Sequence, residues 1–319
     1  MNSFLSYIFL ITFKAQFILA VHEKEVAEGL EAKPGQFPYA AQVSVCCSQH
    51  LYCVWGGASL ISPSWILTAG RLFPSDNKML KAIEGNGNAV VYMGSLLYYV
   101  SGAHNRTIVK IKRHAKYNRS TLENDIAVAE LNKPYILRDH INVVKLPSVF
   151  TRKHRKCTLV GHGLMTNFKG IRVVLRMNPL KYENITLATT AELNNASIPD
   201  IYLSYNSNLF SIRKSEFGYI TAGDRGGPLV CGGLQFGILS FALEVACSVY
   251  INRYVQVNKY INFIIKHVPR AHVRKAITRR VSVKKPHPFG YLKSGAKCYE
   301  ILLEFLVIQL LLSLSNYLL

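Results

Sequence analysis

Residues 221–233 read TAGDRGGPLVCGG: glycines surround one long cation, Arg225, and an apolar run bounded by glycines follows. That run, GPLVCGG, fits a short strand, and QFGILSFAL (235–243) after it fits another. Working outward, the same grammar recurs along the chain. QVSV (42–45), GGASLI (56–61), AVVYMG (89–94), RTIVKIKRH (106–114), DIAVAEL (125–131) and CTLVGHG (157–163) are short runs rich in Val, Ile, Leu and Tyr. Gly, Asn, Pro and charged clusters separate them, the pattern of a two-sided antiparallel architecture. Residues 256–268, QVNKYINFIIKHV, differ: Val257, Tyr260, Ile261, Ile264, Ile265 and Val268 recur at three- and four-residue steps, which predicts an amphipathic helix.

The chain has 319 residues, half of them hydrophobic, enough for one large or two medium domains with a sizeable core. Residues 1–20 read as a secretory signal peptide cleaved near Ala20, with an uncleaved anchor as the competing reading. Four sequons, at Asn105, Asn118, Asn184 and Asn195, fit an exported glycoprotein. Seven cysteines suggest disulfides, and the odd count leaves at least one thiol over. The formal charge is +20, and ten Lys or Arg with no acid lie in residues 266–298. Residues 269–298 read as a solvated basic tail and 299–319 as a hydrophobic segment whose longest apolar stretch, about 15 residues, is shorter than a membrane span. No metal-binding or phosphate-cradling motif occurs, so no cofactor is expected.

Six segments in order resemble the chymotrypsin/trypsin family of serine proteases: GLEAKPGQFPYAAQVSV, GGASLISPSWILTAG, NDIAVAEL, CTLVGHG, GDRGGPLVC and RYVQVNKYINFI. The resemblance runs from about Val26 to Val268 and implies an all-β fold of two six-stranded antiparallel barrels with a C-terminal helix. It also implies that Arg71, Asp125 and Arg225 stand at the three triad positions, where the chemistry requires an imidazole, a carboxylate and a hydroxyl. Arginine is no base near neutral pH and carries no attacking oxygen. On that reading only Asp125 survives and the chain is not an enzyme. Gly223 and Asp224 match the oxyanion loop and Tyr219 the floor of the specificity pocket. Glu25 before Val26 breaks the activation site, which implies that Asp224 lacks the amine it would pair with.

The resemblance pairs Cys157 with Cys231. Cys53 has lost its family partner, Leu72 standing there, and either Cys46 or Cys47 would replace it; Cys247 and Cys298 have no assigned partners. His162 reads as structural, and His104, His114 and His140 as solvated. The implied function is that of a secreted, non-catalytic homologue of the kind found in insect extracellular fluids. It would bind a protein, itself a protease or a protease substrate, as cofactor or decoy in an immune or seminal-fluid cascade. Two arginines facing Asp125 would favour acidic peptides. The alternative is binding of an anionic glycan or a membrane lipid surface through the basic tail; export makes nucleic acid an unsuitable partner.

Overall fold

The computed structural model describes residues 29–46, 53–97, 104–149, 155–163, 179–195, 208–214, 222–246, 249–269, 271 and 273–274. The signal-like start, Val26, Tyr219, Cys47, Cys247, Cys298, and the basic and apolar segments beyond Arg274 lie outside these residues.

Among the described residues fifteen strands dominate: β1 (Leu30–Glu31), β2 (Ala40–Cys46), β3 (Cys53–Ser62), β4 (Trp65–Thr68), β5 (Ala89–Met93), β6 (Asn105–Arg113), β7 (Ala127–Leu131), β8 (Leu146–Pro147), β9 (Lys156–Gly161), β10 (Lys181–Thr186), β11 (Asn208–Lys214), β12 (Pro228–Cys231), β13 (Leu234–Ala246), β14 (Val249–Gln256) and β15 (Val273–Arg274). Each apolar run of the sequence falls on one of them. β2-β3-β4-β7-β6-β5 close into an antiparallel barrel around Val43, Leu60, Ile66, Val91 and Ile108, all fully buried. Closure leaves this sheet no free edge.

The second sheet runs β1-β10-β9-β12-β13-β14-β11. It is a half-barrel: among the described residues no ladder joins β10 to β11, and the short β1 adds a seventh strand at the edge. Its core holds Leu159, Leu229, Phe236, Leu239 and Tyr254, stapled by the Cys157–Cys231 disulfide. A third cluster, with Leu67, Val128, Leu146, Ile238 and Val255, fills the space between the sheets. Burial of this apolar layer, at about 25 cal/mol per Å², fixes one sheet against the other.

The sequence helix begins as a 3₁₀ turn, Val257–Tyr260, and continues as α-helix Ile261–His267. Val257, Tyr260, Ile264 and Val268 are buried as the spacing predicts, whereas Ile265 is 53% exposed. Ile265 follows Ile264 by about 100° around the helix, and the tight first turn shifts the stripe off it. The helix also braces the first barrel: Tyr260 Oη meets Asn124 Oδ1 at 3.1 Å, and the His114 ring packs edge-on against Tyr260 and Phe263.

A second disulfide joins Cys46 to Cys53 across the β2–β3 hairpin. His104 and His140 pack ring to ring, so these histidines and His114 are not simply solvated as expected.

Candidate functional site

Three connections converge where the two sheets meet. Arg71 lies in the 3₁₀ turn Gly70–Leu72 after β4, Asp125 precedes β7, and Ser240 sits on β13. The β13–β14 register shifts between Leu239 and Phe241, so Ser240 is an extra residue in the ladder. Such a bulge re-aims a side chain, and here Ser240 Oγ donates to Asp125 Oδ2 at 2.6 Å.

Asp125 is wholly buried. The Arg71 backbone N–H donates to its Oδ1 at 2.8 Å, and Arg71 Nε stands 3.2 Å from its Oδ2. Arg71 Nη1 then donates to the Ser240 carbonyl at 2.8 Å. Arg71 thereby bridges the buried Asp125 carboxylate and the β13 backbone, which its length and fork of donors suit. Burial pushes the Asp125 carboxyl above the usual carboxylate range, and the Arg71 charge, the Ser240 hydroxyl, the Arg71 amide and Arg253 pull it back.

The Arg225 loop is held through its backbone. Gly57 on β3 donates its N–H to the Arg225 carbonyl at 2.8 Å, and Gly226 donates to Leu239 O at 2.7 Å. A Cβ at Gly57 would lie 2.6 Å from Gly227 Cα, and Gly226 needs φ +88°. Only glycine supplies both the close approach and the positive φ without strain. These glycines are therefore demanded by the packing of the loop against the first barrel, whatever side chain position 225 carries. Thr68 Oγ1 closes the contact by donating to Gly57 O at 2.7 Å.

The Arg225 side chain is half-buried, and burial, then the neighbouring Arg71 charge, push its pKa down while Asp125 opposes them. Sequence reasoning missed a third cation. Arg253 on β14 is 1% exposed, stacks its guanidinium 4.4 Å above the Phe241 ring, and donates from Nη2 to the carbonyls of Thr121 (3.1 Å) and Leu122 (2.8 Å). Leu122 is held at φ +56°, a conformation that costs a bulky residue about 1–2 kcal/mol, and this anchor holds the loop there. Burial lowers the Arg253 pKa to about 10, so it stays charged at neutral pH. The available signal was a charge in the middle of a strand-like run, VYINRYVQV.

Three cations thus surround one buried anion, with Glu123 exposed near Arg253. Burial, then the Asp125 charge, push the Tyr117 hydroxyl up while Arg71, Arg119 and Arg113 pull it down, and among the described residues that buried hydroxyl has no hydrogen-bond partner. Arg113 is committed to the carbonyls of Pro74 and Ser75, and Arg119 to Ser75 Oγ.

Gly223 and Asp224 are buried beside this centre. The amine that Asp224 is expected to lack lies outside the described residues; Asp224 Oδ1 accepts the Gly163 N–H at 2.8 Å. The turn of CTLVGHG supplies that donor. Asn105, Asn118 and Asn184 are exposed, while the Asn195 side chain lies outside the described set. Among the described residues no group of three His, Cys, Asp or Glu forms a metal site, and no helix is long and apolar enough to cross a membrane. A cavity of about 410 Å³ lined by Lys33, Phe37, Gly94, His140 and Leu180 shares no residue with this site.

This architecture is that of a trypsin-like protein. The sequence profile of the Trypsin family matches residues 26–264, and the chain belongs to that family. It is 28% identical to Trypsin I-P1 of Gallus gallus over 248 residues, which cover 76% of this chain and 88% of that protein. It is also 28% identical to Cationic trypsin-3 of Rattus norvegicus over 245 residues, 76% of this chain and 89% of that one. Among solved structures, HL collagenase shares the fold with a TM-score of 0.57 at 24% identity, covering 76% of this chain and 97% of that one.

Proposed function

We propose that this trypsin-family chain performs no peptide hydrolysis and acts outside the cell as a binding module for a protein partner, a cofactor or decoy in a proteolytic cascade. The observation that carries the reading is the Arg71 side chain, ion-paired to Asp125 and bonded to the Ser240 carbonyl. Acyl transfer needs a nucleophile whose proton a neighbouring base accepts. Arginine at 71 is permanently protonated and accepts no proton. Arginine at 225 offers no oxygen, and the nearby Ser240 hydroxyl is buried and donates to a carboxylate that has no free base behind it.

The binding half of the reading rests on what remains: two packed sheets with Arg71 and Asp125 where they meet, and a loop whose glycines pack against the first barrel whatever side chain stands at 225. The functional domain is taken as residues 26–268, exported behind the 1–20 segment and glycosylated on its exposed asparagines. The test is hydrolysis by the secreted chain of a panel of peptide and ester substrates. Rates at the buffer blank are expected, and turnover abolished by Asp125→Asn would overturn the reading.

A further inference from the structure

We infer that the cavity between residues 33–37 and the turn after β5 binds a small aryl carboxylate, its carboxylate at Lys33 and its ring body against Phe37, Leu96 and Leu180. The inference goes beyond the reading above, since this cavity shares no residue with the Arg71–Asp125 centre.

Separate segments build the walls, and each is fixed by contacts of its own. The 33–36 turn is closed twice: the Gln36 N–H donates to the Lys33 carbonyl at 3.0 Å, and the Lys33 N–H to Gln36 Oε1 at 2.8 Å. The Phe37 ring rests against Tyr182 of β10, centroids 5.0 Å apart. The Leu180 N–H donates to the Leu96 carbonyl at 2.7 Å, and the Ala32 N–H to the Leu180 carbonyl at 2.8 Å, which ties three walls together. His140 packs ring to ring on His104 at 5.6 Å. Gly94, at φ +76°, keeps the space open, because a Cβ there would stand 3.2 Å from His140 Cδ2. Walls braced in this way hold the cavity ready for a ligand.

The cavity of about 410 Å³ falls in the range of about 300–1,000 Å³ typical of small-molecule sites. At about 30 Å³ for each water-sized group it takes a ligand of about a dozen non-hydrogen atoms. Phe37, Leu96 and Leu180 make its apolar part, and Lys33, Ser95 and His140 its polar part. Lys33 is exposed, and among the described residues its ammonium has neither an ion pair nor a hydrogen bond. Ser95 Oγ accepts the Leu97 N–H at 3.1 Å, which leaves its own O–H to donate. No Asp or Glu lines the cavity, so the charge there selects an anion. One ammonium balances one negative charge, which suits a carboxylate better than a doubly charged phosphate, and the bond is charge-assisted. The Phe37 and His140 rings favour an aryl body, which they meet by offset or edge contacts.

The test is calorimetric titration of the secreted chain with naphthylacetate, the matching neutral alcohol naphthaleneethanol, and decanoate, for the native sequence, Lys33→Gln and Leu96→Trp. Lys33→Gln removes the charge at an exposed position, and Leu96→Trp fills the apolar part. Native near-UV circular dichroism qualifies each variant, and should Leu96→Trp misfold, Leu96→Phe replaces it. Naphthylacetate is expected to bind at a single site and to weaken about 10-fold in Lys33→Gln, the loss of one solvent-exposed charge-assisted contact. It should weaken at least about 10-fold in the filled variant, because the ring body no longer fits. The alcohol should bind the native chain about 10-fold more weakly than the acid and should not distinguish Lys33→Gln from native. The basic residues 266–298 are common to every variant, so only differences between variants are read. Equal naphthylacetate affinity in native and Lys33→Gln chains overturns the site, as does undiminished binding in a folded Leu96 variant. Decanoate binding tighter than naphthylacetate overturns the aryl assignment.

Discussion

Replacing Arg71 by methionine isolates the ion pair at the centre of the molecule. Arg71→Met keeps an apolar stem of similar reach and keeps the backbone N–H that donates to Asp125 Oδ1 at 2.8 Å. It removes the Nε contact at 3.2 Å and the Nη1 bond to the Ser240 carbonyl at 2.8 Å. Stripping one partner from a buried pair costs about 3–5 kcal/mol. Two donors still reach the Asp125 carboxylate, the Arg71 amide and the Ser240 hydroxyl, so the lower end applies, about 3 kcal/mol. In a domain of this size each kcal/mol moves Tm by about 2–4 °C, giving a loss of about 6–12 °C.

The sign with pH follows from the carboxyl. Burial already raises its folded pKa, and losing Arg71 raises it further. A folded acid with a raised pKa binds protons that the unfolded chain does not, so its penalty is present at higher pH and disappears as pH falls through the folded value. The deficit of Arg71→Met should therefore be larger at about pH 7.5 than at about pH 5. The double variant Arg71→Met with Asp125→Leu should recover most of the loss, because an apolar pair of similar volume needs no counter-ion. Chemical denaturation of the native chain and both variants at the two pH values is the assay. A deficit under about 1 kcal/mol, or one independent of pH, would refute Arg71 as the counter-ion of Asp125.

His162 offers a second pH test: burial lowers its pKa to about 4, so it is neutral in the fold. Its contribution is complete above the unfolded value near 6.5 and is lost as pH falls toward about 4, at most about 3.4 kcal/mol; His162→Phe should flatten that part of the stability profile in thermal melts. Restoring the family residues with Arg71→His and Arg225→Ser should give at most trace hydrolysis of ester substrates. The buried Arg253 charge near Asp125 disfavours the imidazolium that the step requires, and robust turnover would show that charge to be irrelevant.

How far the sequence could be read divides along contact range. The strands were legible because period, β-branched residues and glycine punctuation are local, and the helix because its stripe spans two turns. Arg71, Asp125 and Arg225 were legible as motif positions. Ser240 was not: its bond to Asp125 joins residues 115 apart and depends on a bulge that no local pattern marks. Arg253 was hidden for the same reason, since its acceptors lie 131 and 132 residues away. The choice between Cys46 and Cys47 for Cys53 needed register: Cys46 stands directly opposite Cys53 in the β2–β3 ladder and is bonded to it. The Asp224 bond to the Gly163 N–H was not legible either, because it joins two turns 61 residues apart.

The central claim is that this centre contains no activated nucleophile. A fluorophosphonate probe reacts only with a hydroxyl whose proton a base can take, so incubation of the secreted chain with excess probe, followed by intact-mass measurement, addresses it directly. The account predicts an unchanged mass under conditions that label an active trypsin to completion. A stoichiometric adduct, lost on substitution of Asp125 or Ser240, would contradict it.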